Sequence, residues 1–250
     1  MAQFKHNQAS HAHSRQTLDL LYGYDSFLDS LEVVADMGCG SGLDTDWWAR
    51  LETRDDPPEP RNYLCYAVDQ QPTLDSATRN LPNVVVLEKN FEEKILPRKA
   101  DLIWCHDAFQ YVQNPLQTLR NWNAQMNEDG MLIIILRQNV TYEYNRLVTR
   151  GYNHSYFNHN LVSLVYMLAV NGFDCNDAYA LKSDNDPWLH IAVYKSSVEP
   201  MNPGTTGWHD LAEHGLLNPS IVRSYTQYGY VRQEDIVFPW LDKDWHQPKT

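Results

Sequence analysis

The sequence has no long apolar run. A helix that crosses a membrane needs about 18 or more consecutive apolar residues, and no stretch of the 250-residue chain provides them. Residues 1–15 are polar and contain no apolar segment, so we expect no secretory signal peptide. We therefore predict a protein that has no membrane partner.

Cysteine is scarce, and its spacing does not suggest a metal site. No C-x-x-C pair occurs among the four cysteines, which are Cys39, Cys65, Cys105 and Cys175. This scattering argues against a zinc site and against a disulfide framework. We therefore expect reduced thiols, no bound metal and a cytoplasmic location.

Basic residues are outnumbered by acidic ones. The chain has 20 Lys and Arg against 32 Asp and Glu, which gives a net charge of -12. A surface of this sign repels phosphate backbones, so a broad nucleic-acid interface is disfavoured, although a local basic groove stays compatible with it. Since 43% of the 250 residues are hydrophobic, the chain is long enough for one core domain with extensions.

The chain does contain a glycine-rich turn between a predicted strand, 31–37, and a predicted helix, 43–51. Asp36 ends the apolar run, and glycines follow as Gly38, Gly40 and Gly42, with Cys39 between the first two. Such a turn lets backbone N–H groups approach a ligand closely. The dinucleotide fingerprint G-x-G-x-x-G would need glycine at position 43 or 45, and no Gly-Lys-Ser/Thr sequence follows. The usual diphosphate signatures are therefore missing.

Polar residues also follow the later predicted strands, which span 63–68, 84–87 and 101–107. The residues at these strand ends are Asp69, Gln70, Asn90, Phe91, Cys105, His106 and Asp107. An acidic residue after the second strand is placed to hold the hydroxyls of a ribose. The alternative for Asp69 is a helix cap or a solvated turn.

The remaining elements alternate in type along the chain. Apolar spacing predicts helices at 14–29, 71–81, 116–126 and 157–170, a strand at 131–136, and a hairpin of strands at 173–181 and 188–194. Alternating strands and helices predict an open α/β sheet with its ligand site along the carboxyl edge of the strands.

The segment from Asp36 to Gly42 resembles motif I of the class I S-adenosylmethionine-dependent methyltransferases, which is acidic-x-Gly-x-Gly-x-Gly after the first strand. The run 100–105 and the pair Asn114-Pro115 are similar to the fourth strand and the next helix start of that family. The similarity covers about 31–195. It implies a Rossmann-like, open seven-stranded, mostly parallel sheet with helices on both faces and an antiparallel C-terminal hairpin.

The resemblance also implies which residues bind the cofactor, S-adenosylmethionine. They are Asp36, Gly38, Cys39, Gly40, Gly42, Asp69, Gln70, Asn90, Phe91, Cys105 and His106. In this interpretation the glycine turn holds the amino-acid portion, Asp69 the ribose and Asn90 the adenine. The alternative for Asn90 and Phe91 is a turn residue beside a core aromatic.

The implied reaction is in-line transfer of a methyl group to a nucleophile. Because alignment alone supplies much of such a rate enhancement, a base is needed only where the nucleophile must lose a proton. Candidate bases are His106 and Asp107, followed by His154 and His159. The alternative for His106 is a structural role as a hydrogen-bonding residue. A cluster of aromatic residues has two interpretations: it lines an acceptor pocket, or it packs on the surface. Its members are Tyr142, Tyr144 and Tyr152, with His154 beside them.

We predict a small-molecule acceptor. The Asn/Asp-Pro-Pro-Tyr/Phe motif and the Pro-Cys pair of DNA methyltransferases are missing, which argues against DNA. The alternatives are an RNA or protein acceptor, or a partner subunit that binds S-adenosylmethionine without turnover. We predict an N-terminal helical extension at 1–30, the methyltransferase domain at 31–196 and an aromatic-rich extension at 197–250 that packs on the core. The sequence predicts no oligomeric state.

Overall fold

A single seven-stranded sheet forms the centre of the protein. The computed structural model describes residues 14–137, 159–182 and 188–239. The strands are β1 (Val33–Met37), β2 (Leu64–Asp69), β3 (Val84–Glu88), β4 (Ala100–His106), β5 (Met126–Arg137), β6 (Phe173–Lys182) and β7 (Trp188–Lys195).

The strand order is β3-β2-β1-β4-β5-β7-β6. Strands β1 to β5 pair in parallel, whereas β7 pairs antiparallel with both β5 and β6. This confirms the predicted Rossmann-like sheet and its antiparallel C-terminal hairpin. The order reverses between β1 and β4, and a ligand site is expected above the carboxyl ends of strands at such a point.

Helices cover both faces of the sheet. They are α1 (residues 14–21), α2 (Asp25–Asp29), α3 (Leu43–Ala49), α4 (Ser76–Arg79), α5 (Pro115–Ala124), α6 (Leu161–Val170), α7 (Trp208–Glu213) and α8 (Pro219–Tyr228). On one face, Leu18 of α1 and Trp48 of α3 are buried in one apolar cluster. On the other, Leu119 of α5 and Leu168 of α6 are buried in a second. All of β1 is buried, as expected for a parallel strand covered on both sides.

Two of the predicted helices are shorter than the sequence suggested. The segment 14–29 is divided by a turn at residues 22–23 into α1 and α2. The helix predicted at 71–81 is only α4, because the residues before it are held at the glycine turn. There the Gln71 N–H donates to Asp69 Oδ1 and the Thr73 N–H donates to the Gly40 carbonyl.

Other boundaries also differ from the predictions. Strand β5 begins at Met126 and not at the predicted residue 131, because Met126 pairs with Ala100 and the ladder continues, after an irregularity, with the pair of Leu102 and Met131. Helix α6 begins at Leu161 because Asn160 closes a capping box with Ser163.

The sequence predicted no elements after residue 197, where the structure has α7 and α8. Both helices contribute to the core, since Leu211 and Ile221 are fully buried in the same cluster as α5 and α6. The start of α8 has a recognisable signal, because Asn218 caps the helix and Pro219 occupies its first turn. Among the residues that the structure describes, no helix is long and apolar enough to cross a membrane.

Candidate active site

The glycine turn after β1 is closely packed on two sides. Gly38, Gly40 and Gly42 all have positive φ, at 83°, 49° and 76°. A Cβ added to Gly38 would lie 2.3 Å from the Ala108 Cβ, and one added to Gly42 would lie 2.4 Å from the Leu74 Cγ. Glycine at these two positions is therefore required both by the backbone conformation and by the neighbouring side chains.

The middle of the turn is open instead. A Cβ built on Gly40 would meet no described atom within 4 Å. Gly40 lies where β1 runs into α3, at the carboxyl edge of the sheet. This combination of a positive φ and free space provides room for a ligand against the backbone.

Asp36 is a buried carboxyl group at the end of β1. Only 4% of the residue is exposed, and its Oδ2 accepts a 2.5 Å hydrogen bond from Thr45 Oγ1. The pKa of Asp36 is raised to about 8, mainly by burial and then by the negative charge of Asp44, while the hydrogen bond from Thr45 acts in the opposite direction. The site therefore holds more negative charge than its own donors balance.

Asp69 and Gln70 follow β2 at the same edge. The Asp69 carboxylate accepts hydrogen bonds from the Gly40 N–H at 3.1 Å and from the Gln71 N–H at 2.8 Å. These bonds hold the carboxylate beside the glycine turn, and each oxygen keeps a lone pair for a further donor. Gln70 is exposed.

Asn90 and Phe91 follow β3. Asn90 Oδ1 accepts a hydrogen bond from the Glu92 N–H at 3.1 Å, which makes a local turn. Phe91 is tied to the core because its carbonyl accepts a 2.7 Å bond from Trp122 Nε1. The Phe91 ring lies 3.7 Å from a Cβ position on Gly38, so it forms a side of the glycine turn.

His106, at the end of β4, is held by Asp44 of α3. Its Nδ1 lies 2.9 Å from Asp44 Oδ2, and both side chains are only 8% exposed. Asp44 also accepts hydrogen bonds from Trp104 Nε1 at 2.9 Å and from Ser14 Oγ at 2.7 Å. Because an ionised carboxylate only accepts hydrogen bonds, this contact favours the tautomer of His106 with its hydrogen on Nδ1, in which Nε2 is the acceptor nitrogen.

Asp107 lies beyond β4 in a left-handed conformation, with φ of 50°. This conformation costs free energy for a residue other than glycine and is common at functional sites. Asp107 Oδ1 accepts a 2.6 Å hydrogen bond from Gln110 Nε2, and its N–H donates to the Ile135 carbonyl. The side chain of Cys105 is fully buried, as that of Cys39 nearly is.

The predicted acceptor residues Tyr142, Tyr144, Tyr152 and His154 lie outside the described residues. His159, another predicted base, is buried with its ring 5.1 Å from that of Phe109. Burial lowers the pKa of His159 to about 4, so the ring is a weak base. This finding argues against His159 as the general base.

The sequence did not indicate Asp44, Trp188 or Arg137 as site residues. The Trp188 ring lies 5.5 Å from that of His106, and the Arg137 guanidinium carbon lies 4.9 Å from the centre of the Trp188 ring. Asp44 could have been noticed in the sequence, because it is an acidic residue in the first turn of the helix that follows the glycines. Trp188 and Arg137 come together only through the antiparallel pairing of β5 and β7.

Comparison with known proteins is consistent with this geometry. Residues 35–134 match the family described as a methyltransferase domain. Trans-aconitate 2-methyltransferase of Afipia carboxidovorans is 22% identical over 183 residues, which are 73% of this chain. The match spans only 62% of the length of that relative.

Two solved structures show the same fold. An O-methyltransferase family protein of Burkholderia thailandensis has a TM-score of 0.56 and 16% identity, over 74% of this chain and 57% of its own. The 1,6-didemethyltoxoflavin-N1-methyltransferase of the same organism, solved with S-adenosylhomocysteine, has a TM-score of 0.50 and 15% identity, over 77% of this chain and 86% of its own. The glycine turn, the strand order and the match of residues 35–134 agree, and together they support a class I S-adenosylmethionine-dependent methyltransferase domain in this chain.

Proposed function

We propose that this protein is an S-adenosylmethionine-dependent methyltransferase that acts on a small molecule. The observation that carries the proposal is the group of carboxylates around an open glycine turn. Asp36 is buried there, Asp44 and Asp69 raise its pKa, and Gly40 leaves space beside them. A ligand with positively charged ammonium and sulfonium groups fits such a site because it neutralises the excess negative charge.

The residues of the turn and of the next two strand ends would hold the donor. The glycine turn with Asp36 is placed for its amino-acid portion, Asp69 for the ribose, and Asn90 with Phe91 for the adenine. Bound S-adenosylmethionine supplies an electrophilic methyl carbon, whose bond to sulfur breaks as a lone pair of the acceptor attacks it, so that sulfur keeps the bonding electrons as a neutral thioether. The protein contributes alignment of the reactants and exclusion of water.

His106 would act as the general base where the acceptor must lose a proton. Asp44 fixes its Nδ1 as the protonated nitrogen, so Nε2 accepts the proton of the acceptor. Asp44 then stabilises the imidazolium that forms, since the two side chains are buried together. Asp107 is a second candidate that borders the same strand end.

The acceptor is proposed to be small because of what similar proteins act on. The names of the curated relative and of one structural neighbour give trans-aconitate and 1,6-didemethyltoxoflavin, which are both small molecules. The net charge of -12 also disfavours a DNA acceptor. The four cysteines are free thiols, which supports a cytoplasmic location.

Calorimetry with S-adenosylmethionine and S-adenosylhomocysteine tests the proposal. We expect saturable binding by the wild type and weaker binding by Asp36→Ala and Asp69→Ala. Asp129→Ala removes an exposed carboxylate from β5 and is the matched control, which should bind like the wild type. No binding of either compound would refute the proposal.

A second measurement identifies the acceptor class. Purified protein is incubated with methyl-labelled donor and a cell extract, and label is followed in the small-molecule and macromolecular fractions. Label in the small-molecule fraction supports the proposal. Label in protein or RNA, or donor binding without any transfer, would favour the other two hypotheses.

A further inference from the structure

Arg137 is the last residue of β5 and lies at the same edge of the sheet as His106. In the parallel pairing of β4 and β5, His106 is opposite Ile135, so Arg137 lies two residues further toward the carboxyl edge. In the antiparallel pairing of β5 and β7, Arg137 is opposite Trp188. Its guanidinium lies against the Trp188 ring, with Cζ 4.9 Å from the ring centre.

The guanidinium of Arg137 lacks an anionic partner in the described part of the chain. Within those residues, its Nε is buried without a hydrogen-bond acceptor, and no carboxylate lies within ion-pair distance. Two other arginines with a buried Nε are instead paired with carboxylates: Arg61 contacts Asp25 and Asp29, and Arg232, which lies over the Tyr228 ring, contacts Glu234. A buried donor without an acceptor is unfavourable, and a bound anion would supply that acceptor.

Charge is distributed unequally along the carboxyl edge. Asp36, Asp44 and Asp69 lie at β1, α3 and β2, around the glycine turn. Arg137 lies on the other side of β4, since β5 is adjacent to β4 and not to β1. The side that would hold the cationic donor is therefore acidic, whereas the side beyond His106 carries a positive charge.

The ring of Trp188 connects Arg137 with His106. The centroid of His106 lies 5.5 Å from that of Trp188, and the guanidinium of Arg137 lies 4.9 Å from it. These two distances limit the separation of the cation and the imidazole to about 10 Å. A small molecule with an anionic group at one end and a nucleophile at the other can contact both.

We infer that the methyl acceptor is a small organic acid whose carboxylate pairs with Arg137 while its nucleophilic group faces His106. A planar guanidinium binds a carboxylate through two parallel N–H donors, and the stacked Trp188 ring holds the fork in one orientation. A single guanidinium balances one negative charge, so it suits a carboxylate better than a phosphate dianion, whose second charge would stay unbalanced at a sheet edge that also carries Asp36, Asp44 and Asp69. This inference rests on the proposed function.

Ligand-observed NMR and calorimetry on the protein saturated with S-adenosylhomocysteine test the inference without requiring turnover. The probes are small hydroxy acids and amino acids, each compared with its uncharged amide and with a phosphate-ester analogue. We expect at least one acid to bind at millimolar concentration, its amide to bind at least about tenfold more weakly, and Arg137→Gln to show the same loss, since a charge-assisted pair contributes about 1.5–3 kcal/mol.

Two further variants separate the role of Arg137 from a general effect on folding. Arg137→Lys keeps the charge without the fork and should bind the acid with intermediate affinity. Arg232→Gln is the control: it removes an arginine that follows α8 and lies over the Tyr228 ring, and this variant should bind the acid like the wild type.

Three results would overturn the inference: equal binding of acid and amide, full affinity in Arg137→Gln, or no acid bound while S-adenosylhomocysteine binds. Preferential binding of the phosphate ester would also overturn it. Failure of S-adenosylhomocysteine itself to bind would instead contradict the proposed function.

Discussion

Asp44 and His106 are separated by 62 positions in the sequence, and their side chains meet at 2.9 Å beside the glycine turn. The carboxylate belongs to the first turn of α3, and the imidazole belongs to the end of β4. Two more donors, Trp104 Nε1 and Ser14 Oγ, satisfy the same carboxylate. The orientation of His106 is thus determined by residues from three separate segments, which is the usual requirement for a precisely held catalytic group.

We predict that Asp44→Asn slows methyl transfer without preventing donor binding. An Asn side chain donates as well as accepts, so it no longer fixes Nδ1 as the protonated nitrogen, and loss of a general base typically costs about 10²–10⁴-fold in rate. Single-turnover transfer and calorimetry measure the two effects separately. ¹⁵N NMR of the His106 ring reports the tautomer directly.

Ser14→Ala is the matched control for that variant. It removes one hydrogen bond from Asp44 and leaves the bond between Asp44 and His106 in place. Transfer close to the wild-type rate in Ser14→Ala, with an unchanged tautomer, is expected. An Asp44→Asn variant with full activity would contradict the role of Asp44 as a positioning residue.

We predict that donor binding releases a proton from Asp36. The pKa of Asp36 is raised to about 8, so the group holds a proton at neutral pH, and a bound cation lowers that pKa. Affinity should therefore rise with pH between about 6 and 8, by at most tenfold per pH unit. Calorimetry of S-adenosylmethionine in two buffers of different ionisation enthalpy measures the protons released.

Asp36→Asn is the control, because its amide does not titrate in this range. The proton release that remains in this variant reports the ionisation of the ligand. Equal proton release by Asp36→Asn and by the wild type would show that Asp36 does not take part.

We predict that Gly38→Ala mainly lowers the stability of the fold, whereas Gly40→Ala mainly weakens donor binding. In Gly38→Ala the new methyl group overlaps Ala108 at 2.3 Å, so we expect a loss of about 2–5 kcal/mol in the free energy of unfolding from overpacking and the left-handed backbone together. In Gly40→Ala the methyl group meets nothing, so only the backbone cost of about 1–2 kcal/mol applies. Donor binding by Gly40→Ala should nevertheless be weakened, because the methyl group fills the open space.

Gly215→Ala provides the reference for the backbone cost alone. Gly215 has a φ of 71°, no described atom lies within 4 Å of its Cβ position, and it follows α7, far along the chain from the glycine turn. Urea unfolding and calorimetry of the three variants separate stability from binding. Donor affinity that is unchanged in Gly40→Ala would show that the ligand does not approach this position.

We predict that the protein loses stability in acid partly because of His159. Its pKa is lowered to about 4 by burial, whereas the unfolded chain has the ordinary value of 6.5. Protons therefore bind preferentially to the unfolded chain as the pH falls from 6.5 to 4, and the loss at pH 5 is on the order of 2 kcal/mol. Urea unfolding at pH 7.5 and pH 5 should show a smaller difference for His159→Gln than for the wild type. His209→Gln, which changes an exposed histidine, should retain the wild-type difference.

The family and the sheet were predictable because their signals are local. Alternating apolar and polar segments determine the parallel strands, and three glycines after a buried strand determine a turn with positive φ that few other residues adopt. The strand-end positions of Asp36, Asp69 and His106 follow from the same pattern, since the carboxyl ends of parallel strands share one edge. Their roles in binding and catalysis remain predictions.

Tertiary contacts decided what the sequence pattern could not show. The helix predicted at 71–81 lost its first turn to hydrogen bonds with Asp69 and Gly40, which are distant in sequence. Helix α7 has only six residues, which is too short for a clear apolar period, whereas α8 has a start signal in Asn218 and Pro219 that the prediction did not use. Burial against the core stabilises both helices. Local propensity does not contain this information.

The sequence by itself determined the strand–turn–helix unit and hence the resemblance to methyltransferases, because backbone conformation and apolar periodicity are properties of neighbouring residues. Only the tertiary structure placed Asp44 against His106 and Arg137 against Trp188. The first contact joins α3 to the end of β4, and the second depends on the register of β5 and β7. A side-chain contact across a sheet depends on that register, which no single stretch of sequence specifies.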